Sequence, residues 1–228
     1  MYRIYLSPSN QPSNKYCVGN TNEKTEMQVL AKKIKAILDE EYECEAVMAT
    51  LYLGIDAEGR AKEAKDKECH IYLAIHSNAG GGGKASGAVA FYHPDSLSGK
   101  MLAESSVKEL NAICPVKSIR NISVESGMKA FNNIGYGEIR NPSKLGLISV
   151  LVETDFHDNP KTAQWIIDNK DDIARAYVNA LVKTFNIAKK TATKYYRVQV
   201  GAFAKKSNAD SMLKRLKNAG FDGYIRYE

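Results

Sequence analysis

The sequence predicts an α/β fold with a mixed, mostly parallel sheet flanked by helices, followed by a small C-terminal strand-helix-strand module. Apolar runs of strand character alternate along the chain with amphipathic segments of helical spacing, which is the pattern of βα units. Two of the apolar runs, in residues 71–79 and 150–159, end abruptly in side chains that can bind a metal or move a proton. Because α/β sheets build their sites at the carboxyl ends of strands, we expect a functional site there.

The first part of the chain predicts a strand, a loop and a helix. Residues 2–6 alternate as a strand, and a loop rich in serine, proline and asparagine follows. Apolar side chains then recur at helical spacing over residues 23–38, with Asn22 or Thr21 available as the N-cap. On these grounds alone, Glu23 in the first turn is a carboxylate favoured by the helix dipole.

The middle of the chain supplies the remaining strands and helices. We expect strands over residues 46–53, 71–76, 88–92 and 145–153, with helices over 57–67 and 101–113 and another beginning at Pro160. The glycine-rich residues 79–83 are expected to form a flexible rim of a substrate groove. Residues 118–143 show the least periodicity, which predicts loops along one wall of a cleft.

Two of the predicted strands deliver His76 and Glu153 at their carboxyl ends. An imidazole and a carboxylate at one edge of the sheet indicate a mononuclear zinc hydrolase. Such an enzyme needs three protein ligands that leave a position open for water, and a carboxylate that accepts the proton of that water.

Two motifs carry a resemblance to a known family: Ile-His-x-Asn-Ala at residues 75–79 and Leu-Val-Glu-x-x-Phe-x-x-Asn at residues 151–159. With them, residues 1–187 resemble the zinc-dependent N-acetylmuramoyl-L-alanine amidases of the amidase_3 family. The resemblance implies a Zn²⁺ cofactor held by Glu23 and His76, with Glu153 as the catalytic carboxylate. It also implies hydrolysis of the amide between N-acetylmuramic acid and the L-alanine of the peptidoglycan stem peptide. Glu26 would be the zinc ligand in place of Glu23 if the alignment of this helix with the family pattern were shifted by one turn.

The third zinc ligand departs from the family pattern. The family's first histidine normally follows a Pro-Gly in the first loop, but Asn10 stands in its place here and Gln11 is next to it. A neutral amide oxygen is a poor zinc ligand compared with an imidazole. If the strand remained extended past Glu153, His157 would lie on the same side and could be the ligand, with Asp155 orienting the imidazole. Alternatively, His157 is hydrogen-bonded to the carboxylate that follows it or to a backbone carbonyl.

A second resemblance lies in the C-terminal segment. Residues 188–194 lack an apolar pattern and predict a linker, after which residues 195–228 form a strand-helix-strand unit. Its beginning, Tyr-Arg-Val-Gln-Val-Gly-Ala-Phe, resembles half of a SPOR repeat and implies glycan binding through Tyr196, Gln199 and Phe203. Because a unit of this length leaves a strand edge exposed, we expect two tails to pair in a homodimer, or the tail to dock on its own catalytic domain.

Composition and charge bear on the class of protein, its cellular location and its partner. A hydrophobic content of 44% over 228 residues suffices for a packed core, and the four scattered cysteines predict reduced thiols. No apolar run approaches a membrane span and the first residues do not form a signal peptide, so we expect cytoplasmic synthesis and action on the wall after release, as for a phage endolysin or a bacterial autolysin. The net charge of +6 suits an acidic polymeric partner, but cell-wall glycan, nucleic acid and a membrane surface all meet that description. The family resemblance implies peptidoglycan as the partner, with no nucleic acid and no membrane insertion.

Two competing functions follow from the same observations. The missing first histidine is consistent with a peptidoglycan-binding protein whose catalysis is weakened. A zinc carboxypeptidase or another amidohydrolase on a related scaffold is the second alternative, although the chain has no recognisable arginine motif for clamping a substrate carboxyl terminus.

Overall fold

The computed structural model describes residues 1–191 and 198–227, and these confirm the predicted α/β fold with a mostly parallel sheet. The chain divides into two compact units, residues 1–190 and 191–228. The division falls inside the segment 188–194 that the sequence assigns to a linker.

The first unit contains a six-stranded sheet and its helices. The strands are β1 (Tyr2–Pro8), β2 (Cys44–Met48), β3 (Ile71–Asn78), β4 (Val89–Tyr92), β5 (Val124–Ser126) and β6 (Ile148–Phe156). The helices are α1 (Glu23–Glu41), α2 (Arg60–Asp66), α3 (Leu97–Ile113), α4 (Ala130–Asn133), α5 (Gly137–Lys144), α6 (Pro160–Asp168) and α7 (Lys170–Phe185), with a 3₁₀ turn over Gly127–Lys129.

The order of the strands decides where a site can form. It is β2-β1-β3-β6-β4-β5, with β2, β1, β3 and β6 parallel to one another, β4 antiparallel to β6, and β5 parallel to β4. The carboxyl ends of β1, β3 and β6 therefore meet at one edge, beside the amino end of β4. At that edge His76 pairs with Glu153, and Glu153 pairs with Val89.

Both faces of the sheet are covered, which explains why the central strands are almost continuously apolar. In β3, Ile71, Leu73 and Ile75 belong to the larger hydrophobic core, which includes residues of α1, α3 and α7. Tyr72 and Ala74 belong to the smaller core, with side chains from α2 and α5. Since successive side chains alternate between the faces, the side chain after Ile75 is directed toward the α5 side.

The start of α1 is set by its cap. The Asn22 side chain accepts a hydrogen bond from the Thr25 amide at 3.0 Å, so the cap is Asn22 rather than Thr21. Glu23 is consequently the first helical residue, and it is 1% exposed. Glu26, one turn later, forms an ion pair with Lys170, and it is Glu23 that contacts His76.

The region from residue 118 to 143 differs from its prediction. Instead of loops alone it contains β5, the 3₁₀ turn, α4 and α5. A strand of three residues and a helix of eight that contains Pro142 are too short to show a hydrophobic period, which is why the sequence pattern missed them. The helix predicted from Pro160 is interrupted at Asn169, the residue between α6 and α7.

The second unit is described over residues 198–227, where it forms one helix, α8 (Lys206–Asn218). The strand predicted near the end of the chain is not present, because residues 221–227 take no strand conformation. The first strand predicted for this unit, at residues 196–200, falls partly outside the described residues, and Tyr196 lies wholly outside them. Across both described ranges, none of the helices has the length and apolar character needed to cross a bilayer.

Candidate active site

Three side chains converge at the carboxyl edge of the sheet: Glu23 from the start of α1, His76 from β3 and Glu153 from β6. One donor atom from each lies within 4.8 Å of the other two, a spacing that can hold a metal ion. The Nδ1 atom of His76 is 2.9 Å from the Oε1 atom of Glu23. The structure thus brings together three residues that the sequence singled out.

The other ring nitrogen of His76 meets a residue that the sequence analysis missed. The Nε2 atom lies 2.8 Å from the Oε2 atom of Glu138, in the first turn of α5. Glu138 is 3% exposed and belongs to the aperiodic stretch expected to form loops. Glu138 is not part of either motif that carries the family resemblance. Only the fold therefore shows that it lies next to His76.

A buried polar network supports Glu138 from behind. Its Oε1 atom accepts a hydrogen bond from the Ser7 hydroxyl at 2.5 Å, and the Tyr72 hydroxyl lies 3.0 Å from the same atom. The Arg60 guanidinium donates to the Ser7 hydroxyl and to the Pro8 carbonyl, both at 2.8 Å, and lies 3.9 Å from Glu138. Arg60 is 1% exposed, so this network is isolated from water.

The two carboxylates that flank His76 favour its charged form. Burial alone would lower the pKa of His76, but the hydrogen bonds to Glu138 and Glu23 raise it well above its usual range. Burial opposes ionisation of both glutamates, yet their contacts with His76 hold the pKa of each below the usual value. Without a metal, the imidazole therefore bridges the carboxylates as an imidazolium.

Glu153 differs from the other two carboxylates. Its Oε2 atom is buried and has no hydrogen-bond partner among the residues that the structure describes. Burial raises its pKa, the charge of His76 lowers it, and the charges of Glu23 and Glu138 raise it further, to about 7. This carboxylate is therefore suited to exchange a proton near neutral pH.

The charges of the site fit a divalent cation. Glu23 and Glu138 contact the imidazolium of His76, and Arg60 lies near Glu138, so that with Glu153 ionised these five groups carry one unbalanced negative charge. Replacing the imidazolium proton by a divalent ion balances that charge. One imidazole and carboxylate oxygens at this spacing are a donor set that zinc accepts.

The amide side chains of the first loop lie away from this cluster. Asn10 donates to the Leu51 carbonyl at 2.8 Å, and Gln11 accepts from Asn14 at 3.1 Å. Both Asn10 and Gln11 are exposed. It is Asn14 that reaches the cluster, by donating to the Oε2 atom of Glu23 at 2.6 Å.

His157 is buried next to the cluster but is not a member of the group of three. Its Nδ1 atom lies 2.9 Å from the Ser77 hydroxyl, and its ring stacks on Tyr16 with the centroids 5.0 Å apart. The partner of Nδ1 is therefore a hydroxyl rather than Asp158 or a carbonyl. Burial lowers the pKa of His157, which favours the neutral imidazole that metals bind. Its role as a third ligand stays a prediction.

The role predicted for Asp155 is not the one it has in the structure. Its two carboxylate oxygens each lie 3.1 Å from the Gly87 amide, and the Phe156 amide donates to Oδ1 at 2.7 Å. Asp155 therefore anchors the entry to β4 instead of orienting an imidazole. The prediction rests on the alternation of side chains along the strand, which places Asp155 on the same side as Glu153. That alternation does not specify which groups Asp155 contacts.

The loop between β3 and β4 passes over the end of β6 and borders the site. The amides of Gly80 and Gly83 donate to the Asp158 carboxylate at 3.1 and 3.4 Å. The side chain of Asn159 donates to the Ala85 carbonyl at 2.9 Å. The glycine-rich segment predicted as a flexible rim is thus attached at several points to the residues that follow β6.

Comparison with known families agrees with this geometry. The model of the Amidase_3 family, described as N-acetylmuramoyl-L-alanine amidase, matches residues 4–183. The chain belongs to this family. A SPOR-domain model matches residues 170–227, a range that begins inside α7 and so includes a helix that packs against α1 and α3 in the first unit.

Relatives of the whole chain carry the same description. The chain is 27% identical over 232 residues to a sporulation-specific N-acetylmuramoyl-L-alanine amidase of Bacillus subtilis, a match that spans 99% of this chain and 84% of the relative. It is 26% identical over 236 residues to the N-acetylmuramoyl-L-alanine amidase CwlM of Bacillus licheniformis, spanning 100% of this chain and 85% of that protein.

Solved structures share the fold of the first unit. The catalytic domain of CwlV, an amidase from Bacillus (Paenibacillus) polymyxa, superposes with a TM-score of 0.66 at 17% identity, over 82% of this chain and 100% of that domain. An N-acetylmuramoyl-L-alanine amidase from Clostridium difficile 630 gives a TM-score of 0.64 at 20% identity, over 81% of this chain and 97% of that one. At these identities the likeness establishes the fold.

Proposed function

We propose that this chain is a zinc-dependent peptidoglycan amidase that hydrolyses the amide between N-acetylmuramic acid and the L-alanine of the stem peptide. The observation that carries the proposal is the convergence of Glu23, His76 and Glu153 at one edge of a sheet of the amidase fold. The SPOR match in the tail supports peptidoglycan as the partner.

The residues divide into those that hold the metal and one that moves protons. Glu23 and His76 would hold zinc, whose chemistry when bound is to polarise the scissile carbonyl and to acidify water. Glu153 accepts the proton of the attacking water and delivers it to the leaving amine of L-alanine. The unpartnered Oε2 atom of Glu153 supports this assignment, because the atom does not have to break a bond with the described part of the chain before it takes a proton.

The product of wall digestion tests the proposed function. Peptidoglycan treated with the protein should release stem peptides with new L-alanine amino termini and should gain no reducing sugar ends. New termini of another amino acid would instead identify a peptidase. Binding to the wall without any release would favour the weakened-catalysis alternative, whose motivation is Asn10 in the place of the family's first histidine.

The third ligand is tested by a pair of substitutions. We expect His157→Ala to weaken zinc binding by a large factor and Asn10→Ala to change it little, because an imidazole is a much better zinc donor than an amide oxygen. Competition with a chelating indicator measures the zinc dissociation constants. Loss of the metal in the Asn10 variant, with retention in the His157 variant, would contradict the assignment.

The tail is proposed to act as a wall-binding unit that pairs with a second copy. The pairing is proposed to run through residues 196–200 or 224–227 and to bury Val198, Val200, Met212, Leu213 and Leu216. Of these, Val198 and Val200 are exposed. We expect sedimentation to show a dimer for the full chain and a monomer for a chain ending at Lys189. A full-length monomer at tens of micromolar would contradict pairing and favour docking within one chain.

A further inference from the structure

We propose that Glu138 is a positioning residue that holds the Nε2–H of His76 and thereby directs Nδ1 toward the zinc ion. The inference rests on the zinc site proposed above and concerns which ring nitrogen of His76 takes the metal. It assigns a role to a carboxylate that is buried and in contact with the site, yet is neither one of the expected ligands nor the expected proton acceptor.

The two sides of the His76 ring are not equivalent. On the Nδ1 side lies Glu23, which together with Glu153 completes the group of donor atoms within 4.8 Å of one another. On the Nε2 side lies Glu138, which is not a member of that group although its Oε2 atom is only 2.8 Å from the ring. Hence a metal bound at Nδ1 would lie beside Glu23 and close to Glu153, the proposed proton acceptor, and Nε2 remains for a hydrogen bond.

The surroundings of Glu138 are those of a fixed hydrogen-bond acceptor. Its second oxygen receives the Ser7 hydroxyl at 2.5 Å and lies 3.0 Å from the Tyr72 hydroxyl, while Arg60 approaches to 3.9 Å. These groups contact Oε1, whereas His76 contacts Oε2, so they limit rotation of the Glu138 carboxylate. A carboxylate held in this way can fix both the protonated nitrogen and the orientation of the ring.

The position of Glu138 in the chain also separates it from the other residues of the site. Glu23, His76 and Glu153 come from a helix start and two strand ends at one edge of the sheet. Glu138 comes from α5, which packs on the face of the sheet that carries Tyr72. It therefore approaches the imidazole from the helix that packs on the face toward which His76 is directed, rather than from a strand end.

The direct test locates the proton on the His76 ring of the zinc-loaded full chain. Long-range ¹⁵N–¹H correlation spectra distinguish a protonated ring nitrogen from one bound to metal. We expect a protected Nε2–H signal on His76, with Nδ1 as the metal-bound nitrogen. Metal on Nε2 and a proton on Nδ1 would overturn the inference, because Glu138 would then stand on the metal side as a ligand.

A substitution measures what the contact contributes. Glu138→Gln keeps the shape of the side chain but removes its charge, and we expect zinc affinity to fall by ~10- to 100-fold, as is typical when the outer partner of a liganding histidine is changed. The Nε2–H signal should shift and exchange faster with water. Tyr72→Phe, which removes only a hydroxyl bound to Glu138, should change both quantities in the same direction by a smaller factor.

The matched control is Glu63→Gln. Glu63 is also largely buried, with its side chain 12% exposed, and accepts hydrogen bonds from the Tyr5 hydroxyl and from the Thr50 hydroxyl at 2.6 Å, but the bonds described for it involve no histidine. We expect this variant to keep the His76 signals and the zinc affinity. An equal loss of affinity in both variants would reduce Glu138 to a structural role and overturn the inference.

Failure of the two proposals can be told apart. If the wild-type chain took up no zinc, the proposed function and this inference would both be wrong. If it took up zinc through Nε2 of His76, the proposed function would stand and only the role of Glu138 would be lost. The spectra of the unmodified chain decide between these results without any measurement of activity.

Discussion

Glu153→Gln is expected to abolish hydrolysis of the wall while leaving the fold and the zinc content intact. The amide is nearly the same shape as the carboxylate but cannot accept a proton, and the loss of a general base typically lowers the rate by ~10²- to 10⁴-fold. The half-buried position of Glu153, on β6 between β3 and β4, should tolerate the change, because removing its charge relieves repulsion from Glu23 and Glu138. Release of L-alanine amino termini measures activity, and metal analysis after dialysis measures zinc.

A matched control for this variant is Glu45→Gln. Glu45 lies on β2 at the edge of the sheet, where it pairs with Arg3 at the surface, and it should leave the rate unchanged. Wall hydrolysis by Glu153→Gln at nearly the wild-type rate would exclude Glu153 as the proton acceptor. If the Glu153→Gln variant lost zinc as well as activity, Glu153 would instead be a zinc ligand. Its donor atom lies close enough to those of Glu23 and His76 for that role.

His76→Ala is expected to remove zinc and activity together. The imidazole lies between Glu23 and Glu138 and is the only nitrogen donor in the group of three that the described residues form. Without it, that group of three keeps only carboxylates, which suit harder ions than zinc, and the predicted ligand His157 would be the one imidazole left to the metal. Zinc in the dialysed variant should fall to background, and hydrolysis with it.

This substitution also leaves two buried carboxylates without their shared partner, so folding must be checked separately. His76→Gln keeps a polar side chain between them and should show the same loss of zinc with a native circular dichroism spectrum. His93→Ala is the control, because His93 lies in the loop after β4 and its side chain is 24% exposed. Stoichiometric zinc in a folded His76 variant would refute the proposed centre.

The parts of the site that the sequence predicted are those attached to strong local patterns. His76 and Glu153 end long apolar strands, and the capped amphipathic helix places Glu23 at its first position, although its metal role was implied only by the family resemblance. Such patterns specify where a side chain leaves its element. The parallel arrangement of the strands then brings these ends to one edge of the sheet.

The parts that were missed depend on contacts between distant segments. Glu138 is 62 residues from His76 and belongs to an eight-residue helix without a usable period. Asp155 contacts the amide of Gly87, 68 residues away, and no local pattern indicates that pairing. Similarly, the alternation that aligned His157 with Glu153 does not reveal the hydroxyl of Ser77 or the ring of Tyr16.

The attachment of the β3–β4 loop specifies where the chain can be lengthened. The amides of Gly80 and Gly83 are both held by one carboxylate, that of Asp158, while a side chain added at Gly82 would meet nothing within 4 Å. An insertion after Gly82 therefore extends a short span whose two ends are already held together. Each doubling of such a span costs only about 0.6 kcal/mol in closure entropy. This tip is thus the position at which an extra substrate-contacting segment can be inserted without displacing β4 from β6, whereas a side chain placed on Gly82 itself would strain its left-handed backbone.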